Sequence, residues 1–445
     1  MLKKLKIIYL IPSIFFSLLV NSEEVDIDNI SSISFNSLPV NEKSLKENDY
    51  IDFIKSHIFS QPEYAFALAG ENEKKYLLTS AVRSRFPTIS GSIVNDEVLD
   101  RNVDDFTSIR KRQDDSFDAI AEIRQPIYTG GRISGEISLA RIERNNSIVK
   151  KRSILSELIV TSNEIFLTAS IYYYVNDHAQ KLISSILPFK EKMENRVESG
   201  TIDPAEYAVF LTRLNKLQST IYMIEARAKT NIARYENFFK SKYTFIGFPK
   251  ISIFFENDLI VRNSFELDIK KNNYLASVEN VKIKRSDYLP QLGLKARYTE
   301  YDINRDSTDN DIRGGLYLSM PIFNFGKGWA DIQAKKAQSR ASKFEIDIEE
   351  KISNNRRNEL LTIIESSNKA VIKLKDALND TKKQRRILEE RILLTGFSPV
   401  SLLDVAENEL SQLRLLLETE FDLLEGYYNI LHHNQLLINK MKISL

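Results

Sequence analysis

The chain of 445 residues contains no cysteine, which excludes disulfides, thiolate metal sites and a lipid-bearing cysteine. Histidine is nearly as scarce. The four present, His57, His178, His432 and His433, show no metal-ligand spacing, and the adjacent pair must point in different directions on a helix, so all four read as ordinary exposed or interface histidines. A charge bias is also missing: 62 basic residues face 61 acidic ones, so no global field favours nucleic acid or anionic lipid. Long hydrophobic runs are confined to the start. Lys3, Lys4 and Lys6 precede the apolar stretch Ile7 to Val20, which contains Pro12, and Asn21-Ser22 follow, so residues 1–22 read as a secretory signal. Beyond it no run approaches the ~20 apolar residues of a membrane helix. Nothing in the composition calls for a cofactor or metal.

What the chain does have is an internal duplication. A helix-length stretch leads into Arg85-Phe86-Pro87-Thr88-Ile89-Ser90-Gly91, then a polar loop leads to Arg124-Gln125-Pro126-Ile127-Tyr128-Thr129-Gly130-Gly131. The second half repeats the order with Asp287-Tyr288-Leu289-Pro290-Gln291-Leu292-Gly293 and then Ser319-Met320-Pro321-Ile322-Phe323-Asn324-Phe325-Gly326. Each copy continues into an uninterrupted charged helical pattern, closed by Ser199-Gly200 in one and Thr395-Gly396 in the other. The expected organisation is a signal over 1–22, a polar leader over 23–48, a first repeat over 49–240, a joining collar over 241–263 and a second repeat over 264–445.

Two periodicities define the repeat. Phe117, Ala119, Ala121 and Ile123 alternate with Ser116, Asp118, Glu122 and Arg124, with Ile120 the exception; Leu292, Leu294, Ala296 and Tyr298 alternate with Gly293, Lys295, Arg297 and Thr299. A period of two predicts strands with one apolar and one polar face. Residues 87–95 and 315–322 occupy the matching partner positions, joined by charged loops over 96–115 and 302–313. The helical segments instead carry heptad seams: Ala334, Ala337, Ala341, Phe344 and Ile348; Leu360, Ile364, Ser367, Val371, Leu374 and Leu378; and in the first copy Leu158, Ser162, Ile165, Ala169 and Tyr172. At ~1.5 Å per residue each long helix spans roughly 100 Å. Asp203-Pro204 with Glu206, and Ser398-Pro399, open shorter return helices over about 204–240 and 399–440.

Four strands cannot close a membrane barrel, for which about eight is the minimum, and an open edge is not tolerated in lipid. Several exported copies must share one barrel, with the helices forming a second cylinder continuous with it. The doubled motifs resemble the TolC-like outer-membrane efflux and secretion proteins over roughly residues 48–440, including Ser401-Leu402-Leu403-Asp404-Val405 after the second hairpin turn. The resemblance implies a mainly α fold with β: a strand pair on a long antiparallel hairpin, repeated, in a homotrimer with a twelve-stranded barrel in outer-membrane lipid. It implies a periplasmic helical tunnel, a Gram-negative outer-membrane location and no catalysis. It also implies two partners, a periplasmic adaptor and an inner-membrane ABC or proton-driven transporter. The Tyr-Thr-Gly-Gly match and the missing lipid site lean towards the secretion branch over lipidated drug-efflux members.

In that family inward acids narrow the periplasmic mouth, and Asp404 and Glu407, three residues apart on one helix face, match the motif, with Glu206 in the corresponding place of the first repeat. The competing reading is an exposed acidic helix start that complements the helix dipole, and for Glu206 the capping box with Asp203 is already an explanation. Phe397 and Ser398 stand where the family places a gate-locking arginine. Gly200, Thr201, Gly396 and Phe397 are the expected adaptor-contacting turns, and Pro126, Gly130, Gly131, Pro321 and Gly326 the strand-to-helix junctions. Two other classes remain as alternatives. A periplasmic adaptor has one hairpin between compact β domains, and a structural coiled-coil envelope protein lacks strand pairs. A glycosidase-type carboxylate pair finds no pocket here, because the acids lie along rods.

Overall fold

The computed structural model describes residues 44–97, 115–249, 263–304, 309–391 and 400–443. The signal, most of the leader, and the second hairpin turn with Gly396, Phe397 and the Ser398-Pro399 cap lie outside these. The first repeat runs α1 (Glu47–Ile58), α2 (Pro62–Arg83), β2 (Thr88–Glu97), β3 (Asp115–Tyr128), α3 (Arg132–Glu198) and α4 (Pro204–Phe239). The second runs α5 (Phe265–Ser286), β5 (Gln291–Glu300), β6 (Asn310–Ser319), α6 (Lys327–Arg391), α7 (Val400–His433) and α8 (Leu437–Lys440). A two-residue strand before α1, β1 (Ser44–Leu45), pairs in parallel with β4 (Phe248–Pro249) of the joining segment.

The long helices α3 and α6 hold 67 and 65 residues, so the rods are as long as their patterns require. Their ends are set locally. Pro62 and Pro204 sit at first helical positions, where a missing N–H costs nothing, and the Asp203 carboxylate accepts from the Ala205 N–H at 2.8 Å. The capping box is only half made, since Glu206 forms no bond back to Asp203 among the described residues. Ser264 caps α5 by accepting from the Leu267 N–H at 3.1 Å, with Glu266 and Asp268 in the first turn and Lys284 and Arg285 in the last. Pro188 lies inside α3, which continues through it near the hairpin end despite the lost donor.

One four-stranded antiparallel sheet has the order β2-β3-β5-β6. The helices beneath it follow the same order, with α2 on α3, α3 on α5 and α5 on α6, while the far half packs α3, α4, α6 and α7 around each other. The core is strung along this far half and its middle. There α1 buries Tyr50, Ile54 and Ile58 against the α3 residues Leu155, Ile159 and Phe166, and Phe53, Phe166, Tyr235 and Phe239 form an aromatic cluster. Phe245 and Phe248 pack on Tyr173 and Tyr174, so the described part of the joining segment forms a collar against α3.

Several sequence expectations need correction. β6 begins at Asn310 and ends at Ser319, so residues 310–313 are strand and 320–322 are not. Asp311 and Arg313 read as loop because they belong to the polar face of this strand, and Asn310 because it is a polar residue at the strand's end. The last return helix stops at His433; Gln435 takes a left-handed conformation (φ 60°) and α8 turns Leu437, Ile438 and Met441 back into the core. One 18-residue stretch of α3 does pass as membrane-length by composition, but 67% of it is buried inside the protomer. Of the α6 seams, Leu360, Ile364 and Leu378 are buried, whereas Ala334, Ala337, Ala341, Phe344 and Ile348 are exposed. That seam is left uncovered among the described residues.

Candidate functional site

Strand register puts apolar side chains on one face of the sheet: Ile89 and Ile93, then Ala121 and Ile123, then Leu294, Ala296 and Tyr298, then Ile312, Leu316 and Leu318. This face looks outward, with Ile312 76% and Leu318 71% exposed. A solvent-facing apolar sheet surface of this size marks contact with lipid or protein. Ten residues at about 3.4 Å, tilted by about 40°, rise roughly 26 Å, the height of the apolar band of an outer-membrane barrel. At the helix end of the sheet Phe86, Tyr128, Phe323, Phe325 and Trp329 are exposed, an aromatic fringe of the kind found at membrane interfaces.

The opposite face is polar. Glu122, only 6% exposed, accepts from Arg297 Nη2 at 2.8 Å and also pairs with Arg124. Arg313 pairs with Asp311 at 2.5 Å. Both edge strands, β2 and β6, have no second partner among the described residues.

The junctions hold sheet and rods in fixed relation. Pairing of β3 with β5 shifts register between Pro126 and Tyr128, and Gly130 then turns with φ 62° where a Cβ would come within 2.7 Å of Leu289 Cβ. Gly131 caps α3 in a left-handed conformation. In the second repeat Pro321 follows β6, and Gly326 precedes α6. There Asp331 accepts from Tyr288 Oη at 2.8 Å and pairs with Lys284 at 3.2 Å; these two contacts, Tyr288 first, hold its carboxyl below the usual range.

At the far end, the α3–α4 turn is a complete Schellman motif. The Thr201 N–H donates to Arg196 O at 2.8 Å and the Gly200 N–H to Val197 O at 3.0 Å, with Gly200 at φ 67°. Asp404 and Glu407 do share one face of α7, and each meets a cation on α4: Arg213 Nε lies 3.5 Å from Asp404 Oδ1, and Lys216 Nζ 3.0 Å from Glu407 Oε1. Glu206 is half-buried and is not brought to this cluster by any ion pair among the described residues. The sequence reading missed Arg213 and Lys216; their spacing of three on α4 matches that of the acids on α7, a signal usable only once the two helices are known to touch.

The sequence reading also missed a buried acid. Leu402, Ala406, Glu409, Leu413, Leu416, Glu420, Leu423 and Tyr427 form a heptad seam, all buried. Glu409, fully buried on it, accepts from Arg385 Nε of α6 at 2.6 Å and contacts His178 Nε2 of α3 at 3.0 Å; Arg385 also pairs with Glu389. Burial pushes this carboxyl up, but the His178 and Arg385 hydrogen bonds outweigh it and hold the group below its ordinary range. An acid on an apolar seam was the available signal. The adjacent histidines diverge as their spacing requires, His432 to Ser156 Oγ of α3 at 2.9 Å and His433 to Ser353 Oγ of α6 at 3.0 Å.

An open four-stranded sheet continuous with two long helical hairpins is the protomer architecture of the TolC-like outer-membrane channels, and the chain has that fold. CusC, whose solved structures describe transmembrane channel formation, superposes with a TM-score of 0.74 at 11% identity, covering 90% of this chain and 96% of that one. The CmeC outer membrane channel of Campylobacter jejuni gives 0.73 at 11% identity over 92% of this chain and 91% of its own. The open-state MtrE outer membrane channel of Neisseria gonorrhoeae gives 0.71 at 13% identity, with coverage of 92% and 96%. No family model matches the chain. No curated protein matches it in sequence.

Proposed function

We propose that the chain is an outer-membrane channel-tunnel, three copies of which close a twelve-stranded barrel above a periplasmic helical tube. The observation that carries this reading is the coincidence of two open edges. The sheet ends in unpaired β2 and β6, and the helical row beneath ends in α2 and α6, whose outer faces expose Phe66, Tyr76 and Leu77 on one side and Phe344, Ile348 and Ile352 on the other. Edges that differ at the two sides of one chain pair head to tail, and such contacts close into a ring. Lipid demands that closure, because unpaired ladder groups cost several kcal/mol each. Transport, with no chemistry performed by this chain, follows from a continuous tube. An adaptor and an inner-membrane transporter supply the energy and meet the free hairpin end, where Gly200 and Thr201 lie.

The pairs Arg213–Asp404 and Lys216–Glu407 take the place of the missing arginine as the latch of the mouth. Exposed pairs contribute about 0.2–1 kcal/mol each, weak enough for adaptor contact to part α4 from α7 and bare the carboxylates. The test is the mature chain purified in detergent, sized by mass and placed in a planar bilayer. A trimer that conducts is expected; a stable monomer that conducts, or a trimer that never does, defeats the reading.

A further inference from the structure

Charges on the polar sheet face are sorted by height. Ordered from the helix end, the register levels are Thr88, Arg124, Lys295 and Gly315; then Ser90, Glu122, Arg297 and Arg313; then Ser92, Ile120, Thr299 and Asp311; then Val94 with Asp118; then Asp96 with Ser116. All four cations lie in the first two levels. Three of the four acids lie beyond them.

Pairing sharpens the division. Arg313 is matched by Asp311, and Glu122 is shared by Arg124 and Arg297, while Lys295 has no carboxylate within ion-pair distance among the described residues. The two inner levels therefore keep two uncompensated positive charges per chain: Lys295, and one of the two guanidiniums on Glu122. The outer levels keep Asp96 and Asp118. Four to eight residues of strand separate Arg124 and Glu122 from Asp118 and Asp96 across the ladder, about 14–27 Å. That exceeds the Debye length of about 8–10 Å at physiological salt, so the outer acids do not cancel the inner cations.

We propose that Arg124, Lys295, Arg297 and Arg313 form a cationic belt in the inner half of the barrel, anchored by Glu122, that binds and favours passing anionic groups. This rests on the reading that the polar face lines a lumen. Three copies place six surplus positive charges around a low-dielectric wall, where a ring of one sign concentrates counter-ions. Cargo leaving the tube crosses this belt last but one, before the outer acids, so anionic groups are held there and cationic ones hurried past. The bidentate habit of guanidinium suits carboxylate and phosphate groups in particular.

The experiment is single-channel recording of the full mature oligomer with inorganic tripolyphosphate added on the barrel side. Lys295, exposed and unpaired, is the position to vary, as Lys295→Gln and Lys295→Glu. Block of the wild-type current is expected, weakened about tenfold or more in Lys295→Gln and abolished in Lys295→Glu, each scored against its own open conductance. Absence of block in a conducting wild type, or equal block in Lys295→Glu, overturns the belt and leaves the channel intact. A wild type that forms no pore defeats the channel reading itself, and the belt with it.

Discussion

Glu409 is fully buried where three helices converge, held by Arg385 of α6 and His178 of α3. A buried pair contributes little net stability against an apolar substitute, yet removing one partner strands a charge. Arg385→Ala should therefore cost about 3–5 kcal/mol in unfolding experiments, whereas the paired change Arg385→Met, Glu409→Leu should lie near wild type. An unaltered midpoint in Arg385→Ala would show that the network bears no load. His432 gives a pH dependence. Burial, then the neighbouring His433, pushes its pKa down to about 4, so it stays neutral in the fold. The unfolded chain takes up the proton first, near the ordinary histidine value of about 6.5. Stability present above that value is thus lost as pH falls towards about 4, to a ceiling of about 3 kcal/mol per chain that water screening reduces. Melting of His432→Gln between these pH values should be flatter than that of wild type.

Each element is positioned by a few contacts at its ends. Gly200 has open space where a Cβ would be, so Gly200→Val tests backbone alone: its left-handed φ of 67° should penalise the turn by about 1 kcal/mol or more without any clash. The expected result is an intact oligomer with impaired export and weaker adaptor capture; undiminished export at equal abundance would remove the turn from the contact. Gly135 is the opposite case, because a Cβ would sit 2.8 Å from Ile283, and Gly135→Val should separate α3 from α5 at a cost of about 1–3 kcal/mol. What was legible in the sequence follows the same division between local and distant causes. The strand faces, the rods and the Gly200 turn come from periods and turn chemistry within a dozen residues, and they stand. The start of β6 was hidden because Asp311 and Arg313 are polar for the sake of a face, not a loop. Glu409, and the cations opposite Asp404 and Glu407, needed knowledge of which rods touch, and α3 meets α7 across more than two hundred residues of chain.

At the scale of the whole molecule, a protomer with apolar sheet face, open strand edges and an exposed α6 seam is incomplete alone. Phe344→Asp with Ile348→Asp should leave the helical signal of the chain but abolish the oligomer, since neither side chain packs in the protomer core; an oligomer that survives would place the interface elsewhere. The mouth then gives the sharpest test of the assembled tube. In the proposed trimer with the proposed latch made, six carboxylates from three copies are matched by six cations, and the ring has little net charge. Arg213→Gln with Lys216→Gln unmasks the acids and loosens α4 from α7, so conductance should rise and a trivalent cation added on the periplasmic side should block more strongly. Asp404→Asn with Glu407→Gln also loosens the latch but leaves the cations bare, so conductance should rise while that block vanishes. Opposite shifts in block with the same shift in conductance are a signature that a solvated helix face cannot produce. Identical block in both double mutants and wild type would make Asp404 and Glu407 a solvated helix face and nothing more, since both lie beyond the first turn of α7.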